Sequence, residues 1–414
     1  MTARTVVIVD PYSSGTLLAS ALREEGYSVV AVTSGSSIPD LYVDSFESSD
    51  FDSWFTEVTP ELVKELRSLD PVAVLPGAEI GVELADRLAE QLTPDLANVP
   101  SLSSARRHKG AMVEAVAASG LATIRTLCTA TPESVPEWIA GSGLEGADLI
   151  LKPAKSAGTD GVTMAPGGAG WREAFHGIIG ATNCLGLRND EVVVQECVTG
   201  TEYVIDTFSV DGRHDILDVA RYGKVKNAGN IAVYESLEYV SPEVPEHAAL
   251  ARYTRDVLDA LGIRFGPAHT EVMLTPAGPV LIETGARLGG GGMPISAEAA
   301  TGDNGIRRLV EYLGDTPYVH RDYALRRAVM IVFLLIRAAG RIKGAHLYEE
   351  IEKLVSCGGL HVDVRDGDEV QPSSDLVRSL NYGFVFLSHE DAKQVHADYA
   401  AIREIEDRIT IEPL

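Results

Sequence analysis

Residues 268–293 read AHTEVMLTPAGPVLIETGARLGGGGM. The runs 268–274 and 280–284 are apolar and β-branched, and Thr275-Pro276-Ala277-Gly278-Pro279 between them is turn chemistry. The spacing therefore predicts a hairpin with a glycine-rich exit. A five-residue closure sets Leu274 opposite Val280, and counting outward sets Glu271 opposite Glu283. Residues so opposed have Cβ atoms about 5 Å apart, where like charges destabilise the pair. Two readings stand side by side. Either the glutamates lie on the wet face of an ordinary hairpin, or they share a hard divalent cation such as Mg²⁺, which takes one or two carboxylates together with substrate phosphates. Arg287 follows four residues after Glu283, ready to hold a second anion. The choice turns on whether the rest of the chain supplies a nucleotide site.

With 414 residues, the chain is long enough for two to four domains. Its 45% apolar and 23% charged content is that of a soluble globular protein, and a cytoplasmic one is expected. MTARTVVIVD runs straight into a strand pattern, so no signal peptide is expected, and Ala328–Ile336, the most apolar run, is too short to span a bilayer. Cys128, Cys184, Cys197 and Cys357 show no CxxC or zinc spacing, which suits buried thiols in a reducing compartment. The net charge is −25, and residues 37–95 alone hold 14 acidic against 3 basic residues. That sign argues against a nucleic-acid partner and for a solvated acidic surface.

The start alternates strand and helix. Strands are expected at 5–10, 27–34 and 71–77, with helices at 16–25 and 79–92, so the first domain is α/β with a parallel sheet. No G-x-G-x-x-G follows the first strand, which opposes a nicotinamide-dependent oxidoreductase. Ser103 and Ser104 are expected to cap a helix to about Ser119, carrying Arg106, Arg107, His108 and Lys109 near its start. These four are either a solvated face or the source of a cation that reaches a phosphate.

A strand ending at Lys152-Pro153 is followed by Lys155-Ser156-Ala157-Gly158-Thr159-Asp160-Gly161 and a second strand. Small residues and glycines let backbone N–H groups converge on an anion; a mobile hairpin loop is the plainer alternative. In 191–210, strand, break, strand surrounds Thr199-Gly200, leaving backbone free for an adenine edge and Glu202 for ribose hydroxyls, unless it is only an edge hairpin. Residues 221–234 look loop-like, helices are expected at 246–261, 303–313 and 390–409, and the tail from about 320 reads as a lid or packing subdomain.

Taken in order, Lys109, Lys152-Pro with its glycine loop, QECVTGTE, Glu271 and ETGAR resemble the ATP-grasp superfamily. Within it, PYSSG, PGAEIGVELADRLAEQL, SAGTDGV and GPAHTE are similar to the carboxylate–amine ligases that join amino acids, such as the L-amino-acid ligases making dipeptides. The resemblance implies an N-terminal α/β domain (1–100), a small ATP-grasp lobe (101–200), a large lobe with the metal and catalytic site (201–320) and a C-terminal lid subdomain (321–414). It implies ATP bound through Lys109 and Lys152, the loop Ser156, Ala157, Gly158, Thr159 to Gly161, the hinge Glu196, Cys197 and Val198, and Glu202. Glu271 and Glu283 are the implied ligands of Mg²⁺, with Mn²⁺ as a substitute. Arg287 is the implied catalytic arginine that steadies an acyl phosphate. His269, Lys224, Gly290 and Gly291 are implied substrate contacts, and Gly289 to Gly292 leave room for a bulky substrate or a moving loop.

Many members carry E-x-N-x-R where this chain has Gly285 in place of Asn, which puts a second metal site in doubt. The expected activity joins a carboxylate to an amine, with small-molecule partners and a homodimer as the implied assembly. An ATP-grasp enzyme with a non-amino-acid acceptor, or a nucleotide-binding module without turnover, remain alternatives.

Overall fold

The computed structural model describes residues 4–35, 38–227, 230–374 and 376–414. The N-terminal unit is built from β1 (Thr5–Val9), α1 (Thr16–Glu24), β2 (Ser28–Val32), β3 (Ser53–Phe55), α2 (Pro60–Ser68), β4 (Ala73–Pro76) and α3 (Val82–Leu92). All five residues of β1 are buried. Val6 and Ile8 pack with Leu18 and Leu22 of α1, while Val7 and Val9 meet Leu62 and Leu66 of α2 and Leu84 and Leu88 of α3. A strand covered on both faces has no polar alternation to display, hence the continuous TVVIV run. The sheet is parallel in the order β3-β2-β1-β4. β3 and α2 were not expected: β3 is a three-residue edge with little periodicity. The start of α2 was signalled by Thr59, whose side chain accepts from Leu62 N–H ahead of Pro60.

The expected helix from Ser103 does not form as one piece. Ser104–Arg106 is a 3₁₀ turn, and α4 runs Lys109–Ala118, capped by His108, whose Nδ1 accepts from Ala111 N–H at 3.2 Å. Arg106 is the reason. It is fully buried against Asp86 at 2.8 Å and donates to the carbonyls of Leu261 and Val99, which pulls the chain inward before α4 begins. It is no solvated helix face.

The next lobe contains β5 (Thr126–Thr129), α5 (Ser134–Gly141), β6 (Leu149–Pro153), β7 (Thr163–Ala165), α6 (Trp171–Ile178) and β8 (Val192–Glu196). Its antiparallel sheet has the order β5-β8-β6-β7, and Val135 of α5 with Phe175 and Ile178 of α6 cover Leu149, Leu151, Val192 and Val194.

The remainder supplies β9 (Thr201–Val210), β10 (Arg213–Asn227), β11 (Asn230–Tyr239), α7 (Pro245–Ala260), β12 (Gly266–Thr275), β13 (Gly278–Gly285), α8 (Met293–Thr301), α9 (Gly305–Leu313), β14 (Ala328–Phe333), β15 (Gly340–Lys343), β16 (Cys357–Val362), β17 (Glu369–Val370), α10 (Leu376–Leu380), β18 (Gly383–His389), α11 (Ala392–Arg408) and β19 (Thr410–Glu412). Eight strands form one sheet, β13-β12-β9-β10-β11-β14-β18-β16, so the tail expected as a lid or packing subdomain extends the large sheet; β17-β15-β19 form a small one.

The stretch 221–234 is not a loop. It lies in the long strands β10 and β11, held by pairing with β9, with β14 and with each other; residues 228 and 229 fall outside the described residues. Across this stretch the β10–β11 pairs run from Arg221 with Glu238 to Asn227 with Asn230, a long local hairpin that the glycine and asparagine content does not reveal.

The hairpin is tighter than counted. Thr275 pairs with Gly278 and Leu274 with Pro279, leaving a two-residue turn, so Val280 faces Met273 rather than Leu274. A bulge at Ile282 then adds one residue to β13, and Glu271 faces Glu283 after all. Without the bulge, Ile282 would stand opposite Glu271.

Candidate functional site

On β12, Ala268, Val272 and Leu274 turn toward a core with Met112 and Val116 of α4 and Leu250 and Val257 of α7. Alternation along the strand therefore sends His269 and Glu271 to the other face. There Lys109 Nζ contacts Glu283 Oε2 at 2.9 Å and donates to the Ser156 carbonyl at 3.0 Å. Lys152, only 6% exposed, is pushed down to about 8 by burial, against the pull of Glu283. Lys109 lowers it too, while Glu271 and Glu202 raise it. Burial alone would raise the Glu283 carboxyl, yet Lys109 and Lys152 hold it well below the usual carboxylate range. Two lysines thus meet two opposed carboxylates. All-oxygen donors of this kind fit a hard divalent cation better than a soft metal.

Glu202 is 5% exposed and anchored from two sides. Lys224 Nζ donates to Oε2 at 2.5 Å and Tyr234 hydroxyl to Oε1 at 2.9 Å, with the lysine lying 4.4 Å over the Tyr234 ring. Lys224, expected at a substrate, is brought to the Glu202 carboxylate. In the hinge between β8 and β9, the Glu196 carboxylate is occupied by Arg125, from Nε at 2.8 Å and from the backbone N–H at 3.0 Å. Cys197 N–H is given to the Asp148 carbonyl at 2.9 Å. The Glu196 side chain is therefore committed to Arg125.

The glycine loop turns back on itself through left-handed residues Gly158, Thr159 (φ 62°) and Gly161. It is tied down at several points. Asp160 Oδ2 accepts from Cys184 N–H at 2.9 Å, Asn183 Nδ2 donates to the Lys155 carbonyl at 2.7 Å, and Lys155 Nζ meets Glu83 at 2.8 Å. Ala157 packs beside Leu185, and Ser156 is buried beneath with its carbonyl on Lys109. Asn183 and Cys184 were not anticipated, since no periodic signal marks them.

Arg287 is fastened by a residue 208 positions away: its Nε donates to Glu79 Oε2 at 2.8 Å, and Nη1 donates to the Leu288 carbonyl at 2.8 Å. Arg107 approaches the other oxygen of Glu79 at 3.5 Å. A Cβ at Gly285 would stand 2.7 Å from Glu79 Oε2 and 3.2 Å from Arg287 Cζ, so the volume an Asn side chain would need holds this ion pair. Glu79 is a site residue that the helical periodicity of 79–92 does not mark, because its partners Arg287 and Arg107 are distant in the chain.

His269 Nδ1 sits 2.6 Å from Asp206 Oδ1, and Nε2 lies 3.9 Å from Glu271. Burial would lower this imidazole, but Asp206 and then Glu271 lift it to about 9. A Cβ at Gly289 would crowd His269 Nδ1 at 3.0 Å and Asp206 Oδ2 at 3.1 Å. Gly291 and Gly292 are left-handed, and their N–H groups donate to Ser13 Oγ at 3.2 Å and Ser14 Oγ at 3.1 Å. The exit glycines, Gly290 included, therefore face the PYSSG turn of the N-terminal unit.

One more cluster, His108, Cys128 and Glu191, has metal-ligand residue types. Because His108 Nδ1 accepts from Ala111, its Nε2 carries the proton directed at Glu191, 3.0 Å away, and burial together with Glu191 pushes the Cys128 thiol up to about 12. The three are satisfied by one another. Among the described residues, no helix is long and apolar enough to cross a membrane.

Residues 145–295 match the ATP-grasp domain family. The chain is 29% identical over 412 residues to dapdiamide A synthase of Enterobacter agglomerans, covering 97% of this chain and 95% of that one. It is 26% identical over 187 residues to an L-arginine-specific L-amino acid ligase of Bacillus subtilis, covering 45% and 44%. Its fold superposes on the crystal structure of an L-amino acid ligase from Bacillus licheniformis with a TM-score of 0.72, at 18% identity and full coverage of both chains.

Proposed function

We propose, from the premise that this chain carries an ATP-grasp domain, that it is an ATP-dependent ligase of the amino-acid-ligase type, forming an amide between the carboxylate of one amino acid or related acid and the amine of another. The observation that carries this reading is the meeting of Glu271, Glu283, Lys109 and Lys152 on one face of the large sheet.

The substrate carboxylate attacks the γ-phosphorus of ATP, the bond to the β-phosphate oxygen breaks, and an acyl phosphate and ADP result. The amine then adds to the acyl carbon, phosphate leaves, and the amine proton passes to phosphate or solvent. Phosphoryl transfer asks the protein mainly for positioning and charge neutralisation. Lys109 and Lys152 hold the triphosphate, and Glu202 holds the ribose. Glu271 and Glu283 are the residues that would hold Mg²⁺, which when bound neutralises phosphate charge. Arg287, kept in place by Glu79, faces the negative charge that grows at the acyl centre. Losing one such donor costs about 3–4 kcal/mol of barrier. The glycine loop, pinned against Asn183–Leu185, keeps water from the acyl phosphate.

The test is phosphate release on a panel of amino acids, singly and in pairs, with mass detection of the amide. Release that requires two amino acids and yields their dipeptide supports the reading, and ATP binding without ADP formation on any pair overturns it. Arg287→Ala retaining full activity would remove that residue from the mechanism.

A further inference from the structure

We propose that Arg107 holds the free carboxylate of the acceptor amino acid, an assignment that rests on the ligase reading above. Arg107 is 3% exposed. Its Nη1 lies 3.5 Å from Glu79 Oε1, a long contact, and its Nη2 is buried with no partner among the described residues. Glu79 gives its better hydrogen bond to Arg287, at 2.8 Å. Two guanidinium groups thus share one carboxylate, and the buried triplet keeps one unbalanced positive charge and one unmade donor. Buried donors are rarely left unmade, and a guanidinium fork matches a carboxylate in shape.

The surroundings name the class of anion. Tyr42 lies beside the triplet: burial pushes its hydroxyl up to about 12, opposed by Arg287, assisted by Glu79 and opposed again by Arg107. Its ring stacks on Tyr12 at 5.5 Å and belongs to an apolar cluster with Ile80, Leu185 and Ala157. Cationic donors beside an aromatic and aliphatic wall suit an amino acid with an apolar side chain.

The chemistry selects between the two substrates. The donor's carboxylate is consumed in the acyl phosphate, whereas the acceptor's carboxylate stays ionised throughout and needs a partner throughout. The triphosphate already has Lys109 and Lys152, gathered around Glu283 rather than around Glu79.

The experiment compares acceptor amino acids with their carboxamides on the wild-type enzyme and on Arg107→Gln, measuring KM for acceptor and for ATP. On wild type, the carboxamide should be the poorer acceptor by roughly ten- to a hundredfold, the worth of a charge-assisted hydrogen bond. Arg107→Gln should raise the acceptor KM by a similar factor, leave the ATP KM unchanged and abolish the preference for acid over carboxamide. A raised ATP KM with the preference intact would mean that the anion is a phosphate and would overturn the assignment. So would a wild-type enzyme that uses acid and carboxamide equally well, an outcome that needs no variant to fold. If the wild type makes no amide from any pair, the ligase reading falls first and this assignment with it; normal wild-type turnover with no change in Arg107→Gln defeats the assignment alone.

Discussion

Arg287 Nε and Glu79 Oε2 are 2.8 Å apart, joining the strand end that leaves the large sheet to the first turn after β4 of the N-terminal unit. The contact makes the N-terminal unit part of the site. It also explains a local oddity, because Gly285 stands where many relatives by resemblance have Asn, and the Glu79 carboxylate fills that side chain's space.

Gly285→Ala and Gly285→Asn should therefore act through Arg287. The added Cβ meets a carboxylate held by two arginines, so Glu79 must yield at a cost of about 1–3 kcal/mol. kcat should fall roughly tenfold in Gly285→Ala and further in Gly285→Asn, with ATP affinity little changed. An Asn variant that matched wild type would show the ion pair to be dispensable.

Glu271→Gln and Glu283→Gln should each abolish magnesium-dependent nucleotide binding, measured by calorimetry with and without Mg²⁺, and lower turnover roughly a hundredfold or more. The two differ without metal. Glu283 neutralises Lys109 and Lys152, so its loss should strengthen the binding of metal-free ATP relative to wild type, whereas Glu271→Gln should change it less. Identical metal-free affinities in both variants would contradict this electrostatic division.

Lys224→Met leaves the buried Glu202 carboxylate with Tyr234 alone. Stability should drop by roughly 3 kcal/mol, the low end for a broken buried pair because the lysine is partly in water. The double variant Lys224→Met/Glu202→Gln should recover much of the loss in urea unfolding. Both should bind ATP more weakly.

Lys152 titrates near 8 in the nucleotide-free protein, because burial disfavours its charged form. Phosphates beside it restore that form, so ATP binding should take up protons around pH 8 to 9 and little below pH 7. Affinity should fall as pH rises through this window. Calorimetry in two buffers of different ionisation enthalpy measures the uptake, and its absence at pH 8.5 would deny the contact. For stability the sign follows the same shift. With a folded value below the ordinary 10.5, the unfolded chain binds more protons between about 8 and 10.5, so this group's contribution favours the fold as pH rises there.

Local chemistry made much of this legible in the amino-acid order. TVVIVD announces a strand buried on both faces, the repeat in 79–92 gives α3, and two apolar runs about a proline–glycine turn give the β12–β13 hairpin with its glutamates. Period, turn residues and opposed charges are short-range properties, so residue order alone carries them. Even so, the pairing of Glu271 with Glu283 was reached by a count wrong at both turn and bulge, two single-residue errors that cancelled.

What only tertiary structure decided is whatever needs distant segments to meet. Glu79 with Arg287, Lys224 with Glu202, and Asp206 with His269 depend on contacts across tens to hundreds of residues. Side-chain partners at that range are set by packing of whole sheets and helices, and no local pattern records them. Gly285 states the division plainly: the residue order shows that a side chain is missing, and the fold shows which carboxylate took its place.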